Sequence, residues 1–409
     1  MSSSRNRIAA TVLASLAVTG CATKSDNADN GSVDGIQLGP GMSESTLTLG
    51  VITDLSGPFA VQGMPALDGL KLVTDQINED GGICGRFAVD LDVQDSGSDV
   101  QKATQAYDSM EEDVLALVQT LGAPVNTALI PRFTQDQIVN VPMAWGRSLL
   151  DWEGNAVPGG FYDTDMANGL SYLLQEDLIE DGDTVGHIYF TGEYGENGLA
   201  GAEHVADERN LNITGAEVSP TDVDMTALVQ RFADEGVDAI ALSVGPNQTA
   251  SAVSVAVAED LDVPIVMNNP AFAPGLLDSP IGEALRTNGH VANSFSPSFT
   301  GTSDDLAAAW SQANPDDEPT STVVAGAGMG EIIRQVLEKA CADGDMTREG
   351  LLAAKASLDE LTTLGLVVPL DLSGGDTTRS SNILRPADVP GGLEIVASSY
   401  TGPITEGLE

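Results

Sequence analysis

Hydrophobic residues along this chain switch period repeatedly, from every second residue to every third or fourth and back. Leu47, Leu49 and Val51 open a strand, which Ser56-Gly57-Pro58-Phe59 breaks. Leu67, Leu70, Val73 and Ile77 then share one helix face, and Gly81-Gly82 ends it. Phe87, Val89, Leu91 and Val93 alternate with Asp90 and Asp92 as a half-polar strand. Asp99 is placed to cap a helix whose buried face is Val100, Ala103, Tyr107 and Met110. A buried-type strand over 114–118 and a helix over 125–133 follow, then a fourth strand over 141–144 that runs into Trp145-Gly146-Arg147-Ser148.

The pattern restarts beyond a loop at 149–165. Leu170, Leu173, Leu174 and Leu178 predict a helix, and 185–190 a strand leading to Thr191-Gly192-Glu193-Tyr194-Gly195. A strand over 239–244 precedes Gly245-Pro246-Asn247 and a small-residue helix. Another over 264–267 precedes Asn268-Asn269-Pro270. Such alternation implies parallel sheets covered on both faces. Two blocks of it give an α/β protein of two doubly wound parallel-sheet lobes. Ligands of such sheets lie beyond the carboxyl ends of the strands, so these loops are the candidate site. After Ser303 come helices carrying Leu306 and Trp310, then Met329, Ile332, Ile333, Val336 and Leu337, then Leu351 and Leu352. Strands are predicted over 366–368 and 394–397. This tail completes the two lobes rather than forming a third.

Asp and Glu number 61 against 17 Lys and Arg, a net charge of -44. A phosphate-binding basic surface is thereby excluded, and no nucleic-acid partner is expected. The acidity fits either a soluble exported protein or one adapted to salt, where ions screen the repulsion. The first residues favour export. Arg5 and Arg7 precede a short apolar run over 8–18, too short to span a bilayer, and the segment ends Val18-Thr19-Gly20-Cys21. This resembles a bacterial lipobox, with 1–20 as signal peptide and Cys21 as the lipidated N-terminus; an ordinary signal with a chance cysteine is the alternative. Residues 21–46 are rich in Ser, Asn, Asp and Gly and read as a flexible tether.

Recognisable catalytic chemistry is missing. Gly326-Ala327-Gly328-Met329-Gly330 opens a helix without a phosphate-loop lysine, and its small residues read as helix packing. No Gly-x-Ser-x-Gly elbow occurs, and His187, His204 and His290 lack a metal-ligand neighbour at helical spacing. No cofactor or metal is expected. Cys84 and Cys341 either pair, as leftover cysteines in an exported protein often do, or remain buried thiols.

At this point the residues resemble a known family over about 47–400: the type I periplasmic solute-binding proteins of ABC importers, in their leucine/isoleucine/valine-binding branch. The resemblance is carried by Gly50-Val51-Ile52-Thr53-Asp54-Leu55-Ser56-Gly57-Pro58-Phe59, by Asn78-Glu79-Asp80-Gly81-Gly82-Ile83-Cys84-Gly85-Arg86, by Val141-Pro142-Met143, by Glu193-Tyr194-Gly195 and by Asp224-Met225-Thr226-Ala227-Leu228-Val229. It implies a three-crossover hinge, with lobe 1 at 47–165 and 297–372, lobe 2 at 166–296 and 373–400, and a tail at 401–409. It also implies a non-enzymatic monomer that closes on a small molecule and docks on an ABC transporter permease at the outer face of a membrane. A sensing receptor of the same fold is the rival reading.

Carried onto this sequence, the ligand carboxylate is met by Thr120, Leu121, Gly122, Trp145, Gly146, Arg147 and Ser148, with Phe59 as a wall and Tyr194 from the other lobe. Arg147 is either a bidentate carboxylate clamp or a rim arginine, solvated or paired to Asp151. Trp145 either stacks on the ligand or packs between the lobes. The chain departs from the amino-acid-binding pattern at Asn268-Asn269-Pro270-Ala271-Phe272, which offers no acid to an ammonium group, and at Asn247, where an aromatic is usual. Glu193 is the candidate substitute. An amide or an aromatic or short acyl carboxylate therefore stands beside a branched-chain amino acid as the expected ligand.

Overall fold

The computed structural model describes residues 31–408 apart from 296–297, 300–303 and 316–319. The expected signal peptide, Cys21 and the start of the tether lie outside the described residues. The rest of the tether is folded, which corrects the expectation for 31–46. Strands β1 (Ser32–Val33) and β2 (Ile36–Leu38) form a hairpin whose turn residues Asp34 and Gly35 have φ of 52° and 89°. Leu38 is buried, and Arg86 pairs with Asp34. Composition hid this because the strand that captures β2 lies far along the chain.

The first lobe follows: β3 (Thr46–Thr53), α1 (Ala60–Glu79), β4 (Ala88–Asp95), α2 (Val100–Met110), β5 (Ala116–Leu121), α3 (Ala123–Asp136) and β6 (Asn140–Met143). Its strands make a parallel sheet in the order β4-β3-β5-β6. Asp99 caps α2 through the Lys102 N–H. One face of the sheet buries Leu49, Val51 and Val118, and the other buries Ile52, Leu117, Tyr107 and Phe133.

The second lobe holds α4 (Tyr162–Gln175), β7 (Thr184–Phe190), α5 (Glu193–Arg209), β8 (Asn212–Val218), α6 (Thr226–Glu235), β9 (Ala239–Ser243), α7 (Pro246–Ala258), β10 (Ile265–Asn268), α8 (Gly282–Asn288) and β11 (Gly289–Asn293). The chain then returns to the first lobe as α9 (Asp304–Ala313), α10 (Ser321–Asp343), β12 (Asp345–Met346) and α11 (Arg348–Ala356), and β12 pairs with β2. It ends in the second lobe as β13 (Ser381–Pro386) and β14 (Leu393–Tyr400). The larger sheet runs β14-β13-β11-β10-β9-β7-β8, with its last two strands in sequence antiparallel. The chain thus passes between the lobes three times. The first passage ends at Phe161, because α4 packs on α5 and the larger sheet, so the boundary expected at 165–166 falls inside this helix.

Residues 366–368 are not a strand. They form a bend beside a lone bridge between Leu361 and Leu370. Their apolar run reflects burial, with Val367 packed where Gly328 leaves room on α10. The glycines of α10 do serve close packing: a Cβ on Gly326 would lie 1.8 Å from the Ala66 carbonyl oxygen of α1. Cys84, in the turn after α1, and Cys341, near the end of α10, form a disulfide with a Cα separation of 5.9 Å.

Candidate functional site

Between the lobes lies a cavity of about 120 Å³. The first lobe contributes Phe59, Leu121, Gly122, Met143 and Trp145, and the second Tyr162, Phe190, Glu193, Tyr194 and Pro270. A larger cavity of about 380 Å³ sits between the 149–157 segment, α11 and the 371–377 loop, with no wall from the larger sheet. Closing the lobes does not enclose it, so the smaller cavity is the candidate site.

Each wall is fixed by local chemistry. Asp54, buried at the end of β3, accepts the N–H groups of Ser56, Gly57 and Phe59 and the Ser98 hydroxyl. That ties down the loop presenting Phe59. At the β5–α3 turn Gly122 has φ 102°, a conformation that favours glycine. The Asn126 side chain donates to the carbonyls of Thr120 and Gly122. Trp145 stacks on Phe295, ring centroids 3.4 Å apart, and meets Tyr162 edge-on. Of the two roles open for it, lobe packing is filled, while part of the residue still lines the cavity. Tyr194 donates its hydroxyl to the Val244 carbonyl and lies 4.6 Å from the Tyr162 ring. Burial pushes both phenols up, so both are neutral near pH 7.

Six of the expected ligand residues are not among those lining the cavity: Gly146 and Ser148 lie behind Glu193, and Thr120, Asn247, Asn269 and Arg147 are engaged or placed elsewhere. Thr120 is buried and spends its hydroxyl on Asn140. Asn247 is exposed on the first turn of α7. Asn269 accepts from Asn293 and lies outside the lining. Arg147 turns into the hinge, where Nε meets Asp163 and Nη1 meets Asp376, each at 2.6 Å. Its guanidinium lies over the Phe161 ring at 4.6 Å. It is neither a carboxylate clamp nor a partner of Asp151; it bonds the first passage to the third. Nearby, Asp165 accepts from Ser381 and Ser294, and burial pushes its carboxyl up to about 7.

Glu193 is the polar centre of the cleft. It opens α5 in the second lobe and reaches the first. Its carboxylate accepts from the Ser148 N–H at 2.7 Å, the Ser148 hydroxyl at 2.9 Å and the Thr127 hydroxyl at 3.1 Å. A Cβ on Gly146 would lie 2.3 Å from the Glu193 carboxyl carbon, so glycine makes room for it. Asn197, one turn on, accepts the Arg147 N–H, and Gln62 donates to the Pro270 carbonyl. The expected ligand residues left out Thr127, Met143, Tyr162 and Phe190, and from the Asn268-Asn269-Pro270 loop they took Asn269 rather than Pro270. Proximity to a strand end could have found Met143 and Phe190, but the others depend on how the two lobes meet.

Two lobes closing over a walled, largely apolar cavity, with no catalytic constellation among its lining residues, define a clamshell binder. The chain belongs to the periplasmic binding protein family, whose model matches residues 46–384; members bind solutes and are not enzymes. It is 36% identical to a structure described as a fatty acid ABC transporter substrate-binding protein from Thermomonospora curvata. That match covers 91% of this chain and 97% of the other, with a TM-score of 0.87. A branched-chain amino acid ABC transporter structure from Thermus thermophilus, with bound valine, shares the fold at 16% identity and TM-score 0.78, over 89% and 99% of the two chains. The Leu/Ile/Val-binding protein BraC3 of Rhizobium johnstonii is 24% identical over 219 residues, 49% of this chain; the chain spans about half of that relative, 54%.

Proposed function

We propose that this protein is an extracytoplasmic receptor, anchored by a lipid on Cys21, that closes on a small carboxylate with an apolar body and delivers it to an ABC transporter permease. One observation carries the ligand class: the apolar cavity shared by the lobes is lined by Glu193, whose carboxylate is held from the opposite lobe by neutral donors, Ser148 N–H, Ser148 Oγ–H and Thr127 Oγ1–H. Phe59, Leu121, Met143 and Trp145 take the ligand's apolar part. Family membership and the 36% identical fatty acid-binding structure support this reading. Among the described residues no helix is long and apolar enough to cross a membrane.

A branched-chain amino acid is the second reading. Glu193 is the one carboxylate among the cavity's lining residues, and turned from Ser148 it would face an ammonium group. Burying that group without a partner is costly. A thermal-shift panel of hexanoate, 4-methylpentanoate, 4-methyl-2-oxopentanoate, leucine and valine separates the two. Ligand at 100 times its Kd adds about 2.7 kcal/mol. The acids are expected to raise Tm and the amino acids not to; a shift with leucine or valine alone overturns the carboxylic-acid reading.

A further inference from the structure

We propose that Glu193 is a resident occupant of the carboxylate position in the cleft, holding the lobes together without ligand and leaving when a ligand carboxylate arrives. The inference rests on the carboxylate reading above and adds the residue that sets its affinity threshold. Glu193 is the first residue of a 17-residue helix. A glutamate there ordinarily serves its own helix end. Here that duty falls to Glu196, whose carboxylate accepts the Gly192 N–H at 3.3 Å. Glu193 points instead across the cleft and takes three donors from the opposite lobe.

That donor set is one N–H and two hydroxyls on the two oxygens of a single carboxylate, the Thr127 hydroxyl being shared with the Ala123 carbonyl at 2.9 Å. Any carboxylate of the right reach satisfies it equally, since among the described residues no cation pairs with Glu193 to distinguish one acid from another. Arg147, next to Ser148 in sequence, turns away and spends Nε on Asp163 and Nη1 on Asp376. A second carboxylate cannot settle beside Glu193 without like-charge repulsion, so an incoming acid takes the donors only as Glu193 leaves them. The opposite lobe is built for this occupant, because a side chain on Gly146 would overlap the Glu193 carboxyl group. Asn197 on Arg147 N–H and Gln62 on the Pro270 carbonyl reinforce the same closed arrangement. Ligand affinity is then the intrinsic affinity divided by the preference of the donors for Glu193.

Two readouts test this on the chain from residue 31: small-angle scattering without ligand, and titration with hexanoate. Glu193→Ala is expected to enlarge the ligand-free radius of gyration as the lobes part, and to bind hexanoate at least tenfold more tightly. Gly146→Ala, which crowds the carboxylate from the other lobe, is expected to open the ligand-free protein as well and guards against a defect peculiar to α5. Ligand-free scattering unchanged in both variants overturns the proposal, and so does opening without a gain in hexanoate affinity when wild type binds hexanoate. If neither wild type nor Glu193→Ala binds hexanoate while both variants open, the ligand class proposed above fails and Glu193 stands as the closing contact.

Discussion

Replacing Arg147 by Met keeps an unbranched side chain of similar length and removes the guanidinium that stacks on Phe161 and bonds the first passage between the lobes to the third. The consequences differ for its two partners. Asp376 retains Arg379 at 3.0 Å. Asp163, whose side chain is 7% exposed, keeps only Thr164 contacts on Oδ1 and loses its partner on Oδ2. Stranding a buried charge costs about 3–5 kcal/mol. Arg147 itself is 21% exposed, so water offsets part of this, and about 3 kcal/mol is expected. With an unfolding entropy of about 2 cal/mol/K per residue, that is a Tm loss of about 3–4 °C if the lobes melt together. Arg147→Met/Asp163→Asn removes the stranded charge and is expected to recover about half of the loss. Differential scanning calorimetry and urea titration on the four proteins of this cycle, with hexanoate affinity measured alongside, decide the matter. If Arg147→Met melts within about 1 °C of wild type yet binds hexanoate tenfold more weakly, the hinge assignment is wrong and Arg147 serves the ligand.

Two further outcomes follow from the packing. Asp165 holds its proton in the folded state up to about pH 7, whereas an unfolded Asp ionises near 3.8, so the native state binds more protons between those values. Its contribution to stability therefore falls as pH rises from about 4 to about 7, by about 4 kcal/mol on linkage grounds. Asp165→Asn is expected to be more stable relative to wild type at pH 8 than at pH 5 in paired urea titrations; a pH-independent difference would refute the assignment. Gly326→Ala forces a methyl group onto the Ala66 carbonyl. Overpacking costs about 1–3 kcal/mol, and the gain in helix propensity returns up to about 1. A net loss of about 1–2 kcal/mol is expected by urea titration, and a stabilised variant would mean that α1 and α10 separate easily.

The sequence by itself determined the period of each element, and with it the α/β class and the loops at the strand ends. Period reading found β3 to β7, β9 and β10 because their apolar residues form short runs or alternate. It did not mark β8, a half-exposed edge strand written Asn-Ile-Thr-Gly-Ala-Glu-Val, nor β11, written Gly-His-Val-Ala-Asn. Both owe their conformation to neighbouring strands more than to their own composition. The same cause hid β1 and β2, whose anchor is β12. Within the site, Phe59, Leu121, Gly122, Trp145, Glu193 and Tyr194 were legible because strand ends and family motifs mark them. Their roles were not. Arg147 and Glu193 are two charged residues at loop ends, equally plausible as ligand groups from sequence. Only the tertiary structure decided that Arg147 is neutralised by aspartates brought from two distant segments, and that Glu193 lies on three donors of the opposite lobe. A charge's role is set by which partners reach it across the fold, and local periodicity carries no information about that distance.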